Sequence, residues 1–353
     1  MRTFDFSAIK GPLGRSISAG GRSVLYFGGT AYLGIPRQPK FLDYYLEGLH
    51  HFGLNNGTSR NNNVQLGIYK EAEQAAALRF GAESGLLTSS GFLAAQMTVR
   101  HFADWGQLEY APGSHPALWL KGKPDVSGSF EDWGLALVNR INRSPQKRWV
   151  VVSNSMNNLF PERYDFSFLE GVVREKELIL IVDDSHGIGV LNNGRGCYPV
   201  LPSQEHVKRI VVASMAKALG VDAGLVLGPE ILVGELKNTE AFLGASPPSA
   251  AGLFAFMQAE DIYRTELERL LELCAHFKAG LKDLKSDFAF LEGFPVYLSA
   301  NKNLAQQLME KQVLISSFAY PDQFGEVLNR IVLCSWHSKS DLDNLLNILV
   351  SCA

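Results

Sequence analysis

Leu178-Ile179-Leu180-Ile181-Val182-Asp183-Asp184-Ser185-His186-Gly187 is the stretch whose reading decides the fold. Five consecutive aliphatic residues leave no polar side, so the run reads as a strand buried on both faces. It ends abruptly in two carboxylates, a hydroxyl and an imidazole. Downstream, Arg209-Ile210-Val211-Val212-Ala213 repeats the pattern and runs into Ser214-Met215-Ala216-Lys217-Ala218-Leu219-Gly220, while Ala223-Gly224-Leu225-Val226-Leu227-Gly228 can form a third strand. Open α/β sheets place ligand chemistry at such strand ends. Lys217, at the edge of an apolar strand-turn, would be desolvated, which lowers an ammonium pKa and makes the amine nucleophilic. Such lysines form Schiff bases with carbonyls, that of pyridoxal phosphate included, and Asp183 can pair with a pyridinium nitrogen. Taken alone, Lys217 reads as a solvated helix lysine; the order strand, Asp-x-x-His, strand, Ser-x-x-Lys favours the chemical reading.

Composition sets bounds on what else the chain can be. Its 353 residues, 46% hydrophobic and 20% charged, describe a globular protein long enough for two packed units. A formal charge of -3 without a long basic run argues against nucleic acid or an anionic membrane as partner. The apolar runs fall far short of the roughly 20 residues a membrane-spanning helix needs. Met1-Arg2-Thr3-Phe4-Asp5 lacks the pattern of a signal peptide, so a cytoplasmic location is expected. Cys197, Cys274, Cys334 and Cys352 show neither Cys-x-x-Cys spacing nor a disulfide framework, so reduced thiols and no metal are expected.

Val182 to Leu191 with Gly194-Arg195-Gly196, followed by Ser214 to Gly220, resembles in order and separation two segments of the α-oxoamine synthases, Asp-x-Ala-His-x-x-Gly-Val-Leu-Gly and Thr/Ser-x-x-Lys-Ala-x-Gly. These are pyridoxal-phosphate enzymes of the fold type I aminotransferase superfamily. Other stretches are similar to the same family. Gly28-Gly29-Thr30-Ala31-Tyr32-Leu33-Gly34 resembles its entry motif, with Ala31 near the place of a polar residue. Gly57-Thr58-Ser59-Arg60 resembles its Gly-Ser-Arg, Ser90-Gly91-Phe92 its phosphate-binding Ser-Gly-Phe/Tyr, and Ser114-His115-Pro116 the segment whose histidine stacks on the cofactor ring. Arg330 to His337 resembles Arg-x-Arg-x-x-x-x-Ala-x-His, with Val332 in place of the second arginine; Leu243-Gly244-Ala245 stands where the family has Ser/Thr before Pro247-Pro248.

The resemblance implies an α/β fold with a mostly parallel central sheet, helices on both faces and a smaller C-terminal α/β domain. The expected division is an N-terminal segment 1–40, a large cofactor domain 41–240 and a small domain 241–353. It also implies pyridoxal 5'-phosphate as cofactor, with Lys217, His186 and Asp183 catalytic and Ser90, Gly91, Phe92, His115, Ser155 and Ser214 around the cofactor. Arg330 and Arg60 would serve the substrates, an amino acid and an acyl-CoA or carrier-bound acyl thioester. Among the family's reactions, condensation of alanine with a pimeloyl thioester, with decarboxylation to an α-amino ketone, is favoured. A glycine C-acetyltransferase-like enzyme, an aminotransferase and a non-catalytic dimerising relative are the alternatives. A homodimer is implied by family sites built from two chains.

The residues keep plainer readings open. His115 beside a proline can be a turn residue, an Asp-His pair can be a polar core contact, and Arg330 can simply start a strand. The Gly/Asn-rich loop from Gly53 to Arg60 can cradle an anion through its amides or be a plain turn. Around these sites, Phe41 to Phe52 has helical spacing, and Gln65 to Phe80 reads as an amphipathic helix with Ile68, Ala72, Ala75, Ala76 and Leu78 on or beside its apolar face. Gly20-Gly21 turns into a strand at Ser23 to Phe27, and Ser153 to Asn158 places Asn154 and Ser155 near the cofactor. Phe166 to Glu175 is expected as a crossover helix. Ala250 to Leu284 is expected as one long helix with Leu267, Leu270, Leu271 and Cys274 in the core, before C-terminal strands and a closing helix Asp341 to Val350.

Overall fold

In a computed structural model, residues 6–7, 9–19, 21–157, 159–282, 288–320 and 325–351 are described. Gly20, Asn158, Leu284 and Cys352 lie outside them. The strands of the two six-stranded sheets, in chain order, are β1 Ser16–Ala19, β2 Arg22–Phe27, β3 Ser84–Thr88, β4 Gln107–Tyr110, β5 Arg148–Asn154, β6 Glu177–Asp183, β7 Val207–Ser214, β8 Gly224–Gly228, β9 Phe288–Phe290, β10 Val296–Ser299, β11 Val313–Tyr320 and β12 Glu326–Val332. The chain divides into two compact units. The larger comprises residues 41–158 and 163–260, and the smaller comprises 1–40, 159–162 and 261–353.

The larger unit is built on a sheet of order β3-β8-β7-β6-β5-β4. The pairs β4–β5, β5–β6 and β6–β7 are parallel, whereas β8 runs antiparallel to both β7 and β3. Reversing twice through β8 leaves β3 pointing the same way as β4 to β7. The register aligns Asn154 with Asp183, Asp183 with Val212, Ser214 with Gly224 and Gly224 with Thr88. Four strands therefore deliver their C-terminal residues to one sheet edge. Alternation sends Val150, Val152, Ile179, Ile181, Ile210, Val212 and Val226 to one face, where Ala94, Ala95, Met97, Val99 and Phe102 of the helix Gly91–Phe102 pack against them. Val151, Leu178, Leu180, Val182 and Val211 on the other face are equally buried. Each such side chain contributes roughly 1.5–3 kcal/mol on burial, which is why the middles of the central strands are aliphatic.

The smaller unit has its own sheet, β1-β2-β11-β12-β10-β9, antiparallel except for β2 beside β11. The N-terminal strands thus join those of the C-terminal third. The closing helix Lys339–Val350 starts with a capping box, in which Ser338 and Asp341 each satisfy the other's backbone amide.

Four expectations are corrected, the simplest being Leu271, expected in the core and 37% exposed. Phe166 to Glu175 holds a short 3-10 helix, Ser167–Gly171, and no α-helix. The Asp165 carboxylate accepts from the Ser167 amide and hydroxyl at 2.9 Å each, starting a tight turn, and Gly171 with the β-branched Val172-Val173 does not prolong it. The long helix is two, Ala250–Gln258 and Glu260–Leu281, separated at Ala259, whose φ of -95° and ψ of 19° leave the α region. The first is apolar nearly all round and buried, the second amphipathic, so a change in what must be buried divides them. Leu78 is 83% exposed: in the helix Ile68–Phe80 the buried row is Ile68, Ala72 and Ala76, and Leu78 lies across the helix from it.

Candidate active site

The C-terminal edge of the larger sheet gathers most of the residues singled out by sequence. Asp183 ends β6 half-buried, and its Oδ1 accepts from the Ser185 amide at 2.8 Å. The Ser185 hydroxyl in turn accepts from the Ser214 amide at 2.8 Å, tying the turn after β6 to the end of β7. Lys217 follows in the β7–β8 connection, which closes through Met215 N to Ala223 O at 2.9 Å and Val221 N to Met215 O at 3.2 Å. The lysine therefore sits on a pinned turn.

Burial pulls the Lys217 ammonium pKa down, while the Asp183 carboxylate opposes that shift. His115 is also lowered by burial, raised by Asp183 and lowered again by Lys217. These mutual effects link an amine, a carboxylate and an imidazole in one electrostatic cluster. A larger neutral fraction makes the amine a better nucleophile and base. His186, half-buried, lies in the turn directly after Asp183.

His115 is held by its neighbours rather than by its ring alone. It caps the 3-10 helix Pro116–Leu118, its Nδ1 accepting from the Ala117 amide at 3.2 Å. Asn154, at the end of β5, accepts from the His115 amide at 3.0 Å and donates to Gly113 O at 2.8 Å. The Asn154 amide group is thus spent on positioning the histidine loop. Ser155 is buried, and its hydroxyl favours the charged form of Asp184.

Ser90-Gly91-Phe92 forms the turn from β3 into the helix Gly91–Phe102. Ser90 is the N-cap, its hydroxyl accepting from the Leu93 amide at 3.2 Å. A Cβ on Gly91 would lie 2.6 Å from Ser214 Cα and Cβ, so the helix start and the end of β7 touch backbone to backbone. First-turn amides and the positive end of a helix dipole form an anion site, with Ser214 beside it.

The two arginines are placed differently. Arg60 pairs with buried Glu73 at 3.0 Å, and its guanidinium lies 5.0 Å from the Tyr69 ring and 4.9 Å from the Phe242 ring. Glu73 also accepts from the Leu87 amide of β3 at 3.2 Å. In this structure Arg60 packs the segment before the helix Ile68–Phe80 against β3. Arg330 belongs to the smaller unit, on β12, 4.9 Å from the Phe318 ring, and burial lowers its pKa. Sequence reasoning did not single out Asp184, a carboxylate 1% exposed that burial pushes up to about 6. Its signal was present as the second acid in the Asp183-Asp184 pair.

The donor set suits pyridoxal phosphate: a desolvated amine for its carbonyl, a carboxylate for its ring nitrogen, a flat imidazole and a helix N-terminus for its phosphate. Residues 131–349 match the aminotransferase class I and II family. The chain is 27% identical to the 8-amino-7-oxononanoate synthase of Alcanivorax borkumensis, over 97% of this chain and 92% of that protein. Among solved structures, the serine palmitoyltransferase of Sphingomonas wittichii superposes with a TM-score of 0.81 at 17% identity, covering 99% of this chain and 91% of that one. A second, described as SPT with a PLP internal aldimine, gives a TM-score of 0.81 at 16% identity, over 99% and 92%. This likeness bears out the expected fold.

Proposed function

The chain belongs to the aminotransferase class I and II family, and on that premise we propose that it is a pyridoxal-phosphate-dependent α-oxoamine synthase. Its reaction is that of 8-amino-7-oxononanoate synthases: alanine condenses with a pimeloyl thioester, releasing carbon dioxide and the thiol. Near full-length similarity to the Alcanivorax borkumensis enzyme supports this reading. The observation that carries it is the meeting at one sheet rim of Asp183, the turn bearing Lys217 and the start of the helix Gly91–Phe102, tied through Ser185 and Ser214, which a mere scaffold does not need.

When bound, pyridoxal phosphate supplies an electron sink that loosens the bonds at the amino acid's Cα. Lys217 Nζ would hold the cofactor through its carbonyl group and would be the base for the amino acid's Cα proton. Burial favours this by keeping more of the amine unprotonated. Asp183 would keep the ring nitrogen protonated, and His115 would cover the ring. His186 would donate to an oxygen of the cofactor or of the incoming acyl group. The amides of Gly91 and Phe92 with the Ser90 and Ser214 hydroxyls would hold the phosphate. The two-pronged guanidinium of Arg330 has the chemistry to bind an amino-acid carboxylate.

A homodimer is part of the proposal. Leu42 and Leu46, one turn apart on the helix Pro39–Phe52, are 58% and 46% exposed, and Leu54 and Val64 are more exposed still. A cytoplasmic location is proposed too; among the described residues no helix is long and apolar enough to cross a membrane.

The test is an absorption spectrum of the protein with pyridoxal phosphate, before and after alanine, glycine or serine, beside Lys217→Ala. A visible band that needs Lys217 and responds to alanine is expected. Adding pimeloyl-CoA should then release free CoA and carbon dioxide together. No Lys217-dependent band would overturn the proposal, and amino-group transfer to a keto acid without CoA release would replace it with an aminotransferase.

A further inference from the structure

Asp184 is a buried carboxylate to which the proposed reaction gives no task. It follows Asp183 directly, and successive residues of an extended chain point to opposite sides. Asp183 is accordingly half-buried in the Lys217 cluster, while Asp184 is enclosed. Its Oδ2 accepts from the Cys197 amide at 2.6 Å. A Cβ on Gly187 would lie 2.2 Å from Oδ1, and one on Gly196 would lie 2.2 Å from Oδ2, so two glycines form a slot that fits this carboxylate and little else. The Asp184 amide donates to Val212 O at 2.9 Å, and its carbonyl accepts from the Gly187 and Ile188 amides at 3.0 and 2.9 Å. One side chain thus fastens the segment ending at Cys197 beneath the turn that carries Asp183 and His186. That turn reaches β7 through Ser185 and Ser214, three residues before Lys217.

We propose that Asp184 is a positioning residue: seated between Gly187, Gly196 and the Cys197 amide, its carboxylate fixes the turn that aims Asp183 and His186 and adds a negative charge behind that turn. The proposal rests on the pyridoxal-phosphate reading of the site. The titratable groups acting on Asp184 are Asp183, on the same turn, and the Cys197 thiol, at the end of the fastened segment. Burial pushes the Asp184 carboxyl up to about 6; the Ser155 hydroxyl and Cys197 amide oppose that rise and the Asp183 charge adds to it. Asp183 therefore loses a like-charged neighbour as the pH falls through this range. With Asp184 ionised, the negative field that holds a ring-nitrogen proton at Asp183 is stronger.

The test uses cofactor-free protein labelled with carboxyl-13C aspartate and followed by NMR, together with pyridoxal phosphate affinity against pH. Wild type, Asp184→Asn and Asp184→Ala are compared. A carboxyl titrating near pH 6 and missing from Asp184→Asn is expected. The affinity ratio of wild type to Asp184→Asn should rise about threefold or more as the pH passes upward through that value. Asp184→Ala should bind about tenfold more weakly, with the Asp183 carboxyl and His186 ring resonances displaced. A ratio flat with pH, or Asp184→Ala with wild-type affinity and undisplaced resonances, overturns the proposal. If Asp184→Ala does not unfold cooperatively, the Asp184→Asn ratio decides alone. Wild type without affinity for pyridoxal phosphate overturns the functional reading instead, and the Asp183 and His186 resonances of the cofactor-free variants then judge Asp184.

Discussion

Adding one methyl group at Gly91 should loosen the phosphate site while leaving Lys217, Asp183, His186 and His115 unaltered. The new Cβ would stand 2.6 Å from Ser214 Cα and Cβ and 2.9 Å from Ser214 N, all atoms that cannot swing aside. Ordinary carbon contacts begin near 3.5 Å, so the helix Gly91–Phe102 and the end of β7 must part by roughly 1 Å. A hydrogen bond of 2.9 Å stretched by that amount is no longer one. Losing a single amide bond to a charged phosphate costs about 1.5–3 kcal/mol, which weakens cofactor binding about ten- to hundredfold. Equilibrium dialysis of pyridoxal phosphate against wild type, Gly91→Ala and Gly234→Ala measures this. Gly234 is the control, because nothing lies within 4 Å of a Cβ there. Gly91→Ala binding within about twofold of wild type would refute the cradle, since no rearrangement of backbone against backbone absorbs the overlap cheaply.

Two further outcomes are expected. Burial lowers His337 to about 4, with Nδ1 accepting from the Cys334 amide and Nε2 donating to Tyr26 O, so the folded chain holds it neutral. Below its ordinary value of 6.5 the unfolded chain binds the proton that the folded one refuses; stability is whole above 6.5 and falls by about 3 kcal/mol as the pH drops to 4. His337→Gln should flatten that limb in urea unfolding measured against pH, and an unchanged slope would refute it. Asp184 has the opposite sign, since a raised carboxyl favours the folded state as the pH falls from 6 to 3.8. Asp183→Asn should slow exchange of alanine's Cα proton about 10²-fold or more, measured by NMR in deuterium oxide with pyridoxal phosphate present. Exchange at the wild-type rate would remove Asp183 from its role.

The sequence by itself determined the sheet and the chemistry at its edge. An aliphatic run that must be buried on both faces can only be a central strand, so the polar residues ending it are forced to one rim. That logic pointed to Lys217, Asp183 and His186, whereas Ser90-Gly91-Phe92 and Ser214 were marked by the family resemblance. Helical periodicity located most helices but not the break at Ala259, because no glycine or proline announces it and the change lies in what each half packs against. Tertiary structure alone decided the antiparallel β8, which brings the C-terminal ends of β3 and β7 to one rim, where the turn after β3 approaches Ser214 so closely that Gly91 has no room for a side chain. It alone turned Asn154 to the histidine loop, Arg60 to Glu73, and Asp184 into a glycine-walled slot. A strand writes its burial into its own residues, whereas the partner of a polar side chain at a strand end is supplied by segments distant in the chain, and only folding brings them within hydrogen-bonding reach.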